Sequence, residues 1–186
     1  MQDNQKQTLW AYVAGIMDAD GCFLIIRHRR KTKNRESERA KRFPKSVRMW
    51  SWDYQPSVKI AMTELEAIEL IHGELNSGKY HLEGTRPKRP NSKPIYQWYE
   101  RRKDRTAAFL EKVIPYLRVK RKRAEFLLEF SYHLMNCKNP GYRGVSMEEL
   151  DYREESYIKM REFNGNKVAA TTKSLGRESA SDSLDS

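Results

Sequence analysis

The stretch LWAYVAGIMDADGCFLI, residues 9–25, changes its hydrophobic period halfway along, and few folds accommodate that change. Leu9, Trp10, Val13, Ile16 and Met17 recur at helical spacing, whereas from Cys22 to Arg30 branched and aromatic residues read as a strand. A helix expected over residues 7–18 must therefore pass almost directly into a strand. Gly21 falls just past the helix end, where a left-handed backbone is commonly required. Asp18 and Asp20 sit at the same junction, and carboxylates at a helix C-terminus oppose the macrodipole unless something positive offsets them. Asp18 reads as a local cap of the turn before Gly21. For Asp20 a divalent cation would supply the offset. Ala11 and Gly15, four apart with Ala14 beside them, give the helix a face that another backbone can approach closely.

Beyond this junction the alternation continues. Residues 31–45 are a polar, charged connection, and SVRMWSWDYQPSVKIAM returns as a strand in which Pro56 marks an edge or bulge. TELEAIELIHGEL follows with Thr63 and Glu66 spaced as a capping box and with Leu65, Ile68, Leu70, Ile71 and Leu75 at helical spacing; NSG ends it. GKYHLEGTRP and KPIYQWYERR form a second hairpin around a Pro-rich turn, and DRTAAFLEKVIPYL is helical until Pro115. VKRKRAEFLLEFSYHLMN gives another amphipathic helix, and SMEELDYREESYIKMREFN a last, acidic one facing solvent. The order is helix, strand, strand, helix, strand, strand, helix, an α+β chain with extra C-terminal helices. One domain over residues 1–167 is expected, with a disordered Ser- and Thr-rich tail over 168–186.

Charge points to the partner. Lys and Arg number 36 against 25 Asp and Glu, a net of +11, and a surplus of that size suits a polyanion. It is concentrated early: residues 27–50 hold eleven basic and two acidic residues, whereas residues 148–186 hold six basic and nine acidic. No window approaches the roughly 18 apolar residues of a membrane span, and MQDNQKQT lacks the pattern of a secretion signal. The chain is expected to work where it is made, in a bacterial or phage-infected cytoplasm or in an organelle that encodes it. Cys22 and Cys137 suggest neither a disulfide framework nor a zinc motif. His133 and Cys137, four apart on a helix, read as a surface pair rather than a metal site.

Val13–Gly21, VAGIMDADG, resembles the LAGLIDADG motif of the homing endonucleases, matching it at Ala14, Gly15, Asp18, Ala19, Asp20 and Gly21. The αββαββα order is also similar to that family's fold, with an antiparallel, saddle-shaped sheet, and the resemblance covers roughly residues 8–137. It implies that two motif helices pack together through Ala11, Ala14 and Gly15. It also implies that Asp20, with the carbonyl of Ala19, binds Mg²⁺, or Mn²⁺ in substitution, beside a scissile phosphate. Carboxylate and carbonyl oxygens are suitable ligands for such ions. The segment Leu117–Arg123 resembles the one where the family places a catalytic lysine, here Lys120, which would stabilise phosphate charge or position the attacking water. Some members also carry a Gln and an Arg near the active site, and Ile60–Glu64 has neither.

The family's sheet lies in the major groove, so the polar strand face is expected to read DNA. Alternation puts Phe23 and Ile25 on one face and Ile26, His28 and Arg30 on the other; Gln97, Tyr99 and Arg101 likewise oppose Tyr96 and Trp98. His28, Arg30, Arg48, Lys59, Gln97 and Arg101 are the candidate DNA contacts. Only one motif is present, so the implied enzyme is a homodimer making staggered double-strand breaks in a long, near-palindromic site. Two other readings stay open: a maturase binding intron RNA, and a DNA-binding regulator that does not cut.

Overall fold

The computed structural model describes residues 3–31, 50–83, 93–137 and 145–165. The charged connection between the first two strands, the Pro-rich turn and the C-terminal tail lie outside the described residues.

Among the described residues, five helices and four strands follow in the expected order. Helix α1 (Asp3–Ala19) leads into β1 (Gly21–Lys31), β2 (Trp50–Met62) and α2 (Leu65–Leu75). Then come β3 (Lys79–Glu83), β4 (Ile95–Glu100), α3 (Lys103–Val113), a 3-10 turn (Ile114–Tyr116), α4 (Arg121–Asn136) and α5 (Met147–Phe163). The strands form one antiparallel sheet in the order β1-β2-β4-β3. Strand β2 pairs with β1 along its length, Gly21 opposite Ile60 and Lys31 opposite Trp50, but meets β4 only over Val58–Met62. Pro56 lies just beyond the β4 pairing, so its missing amide interrupts no ladder on that side.

Strand alternation turns one sheet face inward. Phe23, Ile25, Tyr54, Val58, Ile60 and Trp98 pack with Val13, Ala14 and Met17 of α1, Ile68 and Ile71 of α2, Phe109 and Leu110 of α3, and Leu127 and Phe130 of α4. Trp98 is fully buried, and its indole N–H donates to the Ser77 carbonyl at 3.0 Å. The NSG segment does end α2, with Asn76 left-handed at φ 44° and Gly78 at φ 79°.

Three local expectations are corrected. Gly21 has no positive φ; the positive-φ glycines among the described residues are Gly78 and Gly165. Gly21 is instead required by close approach, because a Cβ there would stand 2.6 Å from the Cα and side chain of Met17. The Thr63–Glu66 capping box is not formed: Glu64 is the N-cap of α2 without a side-chain cap, and the Thr63 hydroxyl donates to the Glu64 carboxylate. Finally, α5 is not merely a solvent-facing helix. Ser156 and Met160, four apart, are buried, and Glu154 binds Arg27 and Tyr54 on β1 and β2. Asn164, just after α5, donates from Nδ2 to the Phe23 carbonyl at 2.9 Å. The acidic helix thus braces β1 through polar side chains that a hydrophobic periodicity does not count.

Candidate functional site

The α1–β1 junction is held from the far end of the chain. The Asp18 carboxylate accepts backbone N–H groups of Arg118 (2.7 Å), Val119 (3.2 Å) and Lys120 (2.9 Å), which precede α4. Asp18 is therefore not a local cap of its own turn, as its position suggested, but an anchor for a segment about a hundred residues away. Burial alone would raise its pKa. The amides of Arg118, Lys120 and Val119, with the Lys120 charge, outweigh that and hold it below the usual carboxylate range.

Lys120 completes the clasp from the other side. Its ammonium donates to the carbonyls of Met17 (3.0 Å) and Ala19 (3.0 Å), at the C-terminal end of α1 where intrahelical donors run out, and of Gly21 (2.8 Å), the first residue of β1. A cation at this end also complements the helix dipole. Together the two interactions fix the short turn that carries Asp20.

Asp20 itself is exposed, and its carboxylate has no hydrogen-bond or ion-pair partner among the described residues. The donor set fits a hard divalent cation to this extent: a free carboxylate stands next to a carbonyl-rich helix end. The Ala19 carbonyl is already an acceptor for Lys120, so a metal taking that oxygen must share it with the ammonium or displace it.

Of the three small residues expected on a helix-pairing face, Ala11 and Gly15 are exposed and Ala14 is not. Ala14 is fully buried in the chain's own core beside Val13 and Met17. The reason is angular: at 3.6 residues per turn, Ala14 shares its side with residues 10 and 17, whereas Ala11, Gly15 and Ala19 form one exposed row. A Cβ placed on Gly15 meets nothing within 4 Å.

The outer sheet face carries His28 and Lys59 of the expected DNA contacts. His28 stands opposite Asp53, with Nε2 3.4 Å from its carboxylate. Lys59 is opposite Cys22 on one side and Tyr99 on the other, so it lies close to the strand end that follows Asp20. Arg101 is exposed, its guanidinium 4.4 Å from the Tyr99 ring centroid. Gln97 differs: it is buried mid-sheet, and its Nε2 has no hydrogen-bond partner among the described residues. Arg30 is paired through its backbone with Ser51, and Arg48 lies outside the described residues.

Two clusters were not assembled from the sequence, which offered only the His133–Cys137 spacing. Arg27, on the core side of β1, is bound by Glu154 and lies 4.7 Å from the ring centroids of both Trp52 and Tyr157. His133 and Cys137 meet Glu149 and Arg153 between α4 and α5. Each depends on α5, whose docking the pattern did not reveal.

No family model matches the chain, and no curated protein matches it in sequence. Solved structures do match. The homing endonuclease I-CvuI, in complex with DNA, aligns over 89% of this chain and 100% of its own, at 18% identity and a TM-score of 0.55. The archaeal intron-encoded homing endonuclease I-Vdi141I, complexed with DNA, covers 85% of each chain at 16% identity and a TM-score of 0.59. The group I intron-encoded homing endonuclease I-CeuI, also complexed with DNA, covers 90% of this chain and 71% of its own at 13% identity, with a TM-score of 0.56. The chain has the LAGLIDADG homing-endonuclease fold. Its α1–β1 junction carries VAGIMDADG, which matches the motif for which that fold is named at six of nine positions.

Proposed function

We propose that this chain is the subunit of a homodimeric, divalent-metal-dependent DNA endonuclease that makes staggered double-strand breaks with 3′ overhangs at a long, near-palindromic site. The observation that carries the reading is Asp20: an exposed carboxylate, unpartnered among the described residues, held at a helix end by a two-sided clasp that neither helix nor strand needs for itself. Structural neighbours that are homing endonucleases complexed with DNA support the same reading.

Each residue then has a separable task. Asp20 would hold the metal, with the Ala19 carbonyl as the neighbouring oxygen; when bound, a divalent ion supplies charge neutralisation at phosphate and a more acidic water. Lys120 orients the Met17, Ala19 and Gly21 carbonyls and thereby the backbone that aims Asp20. Its positive charge also lies within the junction where phosphate charge would accumulate. His28 and Lys59 face DNA from the outer sheet and Arg101 from just past β4, and cationic side chains there serve phosphates and guanine edges.

Stoichiometry and Gly15 support the proposed dimer. One motif gives one Asp20, and a double-strand break needs a site on each strand. A glycine inside a helix costs about 1 kcal/mol relative to alanine, and none of the described residues occupies the space over Gly15. A second α1 crossing along Ala11 and Gly15 gives that glycine a use.

The test is cleavage selection from a randomised duplex library, with Mg²⁺ or EDTA, comparing the native chain with Asp20→Asn. The expected result is a near-palindromic cut site recovered only by the native chain in Mg²⁺, with binding retained by the variant. Duplex retention without cutting by either protein replaces the nuclease with a regulator. Retention of structured RNA alone replaces it with a maturase.

A further inference from the structure

His133, Cys137 and Glu149 bring an imidazole, a thiol and a carboxylate together, from two different helices, far along the chain from the α1–β1 junction. Cys137 Sγ is 3.4 Å from His133 Nε2 and 3.3 Å from Glu149 Oε1, and His133 Nε2 is 2.7 Å from Glu149 Oε2. All three ligand atoms lie within 4.8 Å of one another, and all three residues are half-buried. We propose that they form a Zn²⁺ site that staples the end of α4 to the start of α5.

The donor set is the kind that selects a borderline-soft ion over Mg²⁺ or Ca²⁺, because it offers sulfur and nitrogen with only one carboxylate. The spacing agrees with a tetrahedral centre. Bond lengths of about 2.0–2.3 Å to zinc put neighbouring ligand atoms about 3.3–3.6 Å apart. The Cys137 Sγ–His133 Nε2 edge, at 3.4 Å, already has that length. The His133–Glu149 edge is shorter and has to open by about 0.6 Å, from a hydrogen bond to a pair of ligands. Water completes the fourth position.

Neighbouring groups orient the ligands as outer partners of metal sites do. The Arg153 Nε donates to Glu149 Oε1 at 2.6 Å, and this leaves Oε2 directed at His133. The Tyr152 ring lies with its centroid 4.0 Å from that of His133 and limits imidazole rotation. Glu149 is itself placed by the helix start, where its amide donates to the Ser146 hydroxyl. Without metal the same four side chains make a closed hydrogen-bond and ion-pair network. With Zn²⁺ the thiol proton is lost, so that thiolate, carboxylate and guanidinium leave the centre one positive charge from neutral rather than two.

The site has a structural consequence independent of nuclease chemistry. Helix α5 reaches back to β1 through Glu154–Arg27 and, just past its end, Asn164 to the Phe23 carbonyl. Fixing α5 to α4 therefore steadies the strand that starts immediately after Asp20.

The experiment uses the full chain without a polyhistidine tag, as the Asp20→Asn, Cys22→Ser variant. These changes remove the junction carboxylate from the metal count and the second thiol from the sulfur signal. Zn²⁺ competition against a chromophoric chelator is expected to give one ion per chain. Co²⁺ is expected to give a thiolate charge-transfer band together with intense tetrahedral d–d bands. A hundredfold excess of Zn²⁺ over its dissociation constant is expected to raise Tm by about 5–10 °C. Adding Cys137→Ser or His133→Gln is expected to abolish the bands and the Tm shift. Should those variants lose their fold by circular dichroism, slowed reaction of Cys137 with a disulfide reagent when Zn²⁺ is present decides the matter on the parent variant. No Zn²⁺ uptake, cobalt bands that survive Cys137→Ser, or unchanged thiol reactivity would each overturn the site and leave a hydrogen-bond network only.

Discussion

Asp18 and Lys120 hold each other in two directions: the Lys120 amide donates to Asp18 Oδ1 at 2.9 Å, and the Lys120 ammonium donates to the carbonyls of Met17 and Ala19, on either side of Asp18, at 3.0 Å each. Neither residue is deeply buried. The arrangement gains its strength from charge-assisted bonds to backbone groups that have no other partner at a helix end. It also makes the position of Asp20 depend on residue 120.

Lys120→Met keeps the length and apolar stem and removes the donor to the three carbonyls. The expected loss of stability is about 1–2 kcal/mol, modest because the clasp is partly solvated, measured by urea denaturation. Cleavage is expected to fall by about 10²–10³-fold, on the scale of other lost electrostatic contacts in active sites. Lys120→Arg is expected to restore little, because a planar fork does not reproduce three donors converging from one ammonium. Full cleavage by Lys120→Met would separate the clasp from the chemistry.

Asp18→Ala takes the acceptor from the amides of Arg118, Val119 and Lys120. About 1–3 kcal/mol of stability is expected to be lost, since these bonds involve a carboxylate. Amide hydrogen exchange at residues 118–120 checks the cause: it is expected to accelerate locally, while exchange in the β1–β2 ladder changes only with global stability.

The fold was legible where periodicity spoke plainly. The change of period at Asp18–Cys22 and the repeated strand pairs yielded the element order, and alternation assigned the inner and outer sheet faces at Phe23, Ile25 and Trp98. Gly21 was read as a left-handed cap, but its cause is the packing of Met17 against it, and packing leaves no local signature. Asp18 was misread for a related reason, because a carboxylate bound to amides a hundred residues away looks in sequence like any turn aspartate. Ala14 entered the pairing face by proximity in sequence, although one residue turns a helix by about 100°. Helix α5 was expected, but its docking was the largest omission. It docks through Arg27, Tyr54 and Glu154, polar groups that a search for apolar stripes passes over. The third member of the His133 cluster was hidden with it.

Gly15 gives a prediction in which stability and assembly move in opposite directions. Because a Cβ at this position meets nothing within 4 Å among the described residues, Gly15→Ala is expected to stabilise the isolated subunit by about 0.5–1 kcal/mol through helix propensity. Gly15→Leu is expected to leave the subunit folded and to shift sedimentation from dimer to monomer, since a branched side chain separates two closely crossing helices. A dimer unaffected by Gly15→Leu would place the subunit contact elsewhere.

Tyr54 offers a test of the α5 brace by pH. Burial first, and then its hydrogen bond to the Glu154 carboxylate, raise the phenol pKa well above its ordinary value of 10.0. Ionising Tyr54 in the folded chain would place two negative groups against each other, whereas the unfolded chain ionises freely at the ordinary value. The unfolded state therefore releases this proton first as pH rises. Stability contributed by protonated Tyr54 is fully present below about pH 9 and declines progressively above pH 10. Tyr54→Phe is expected to cost about 1–2 kcal/mol at pH 7 by leaving Glu154 with one donor fewer. That deficit should be constant from pH 7 to 9 and shrink above pH 10, as the native chain alone loses this contribution. Urea midpoints for the two proteins across pH 7–11 measure it, and parallel curves throughout would mean that Tyr54 titrates alike in both states.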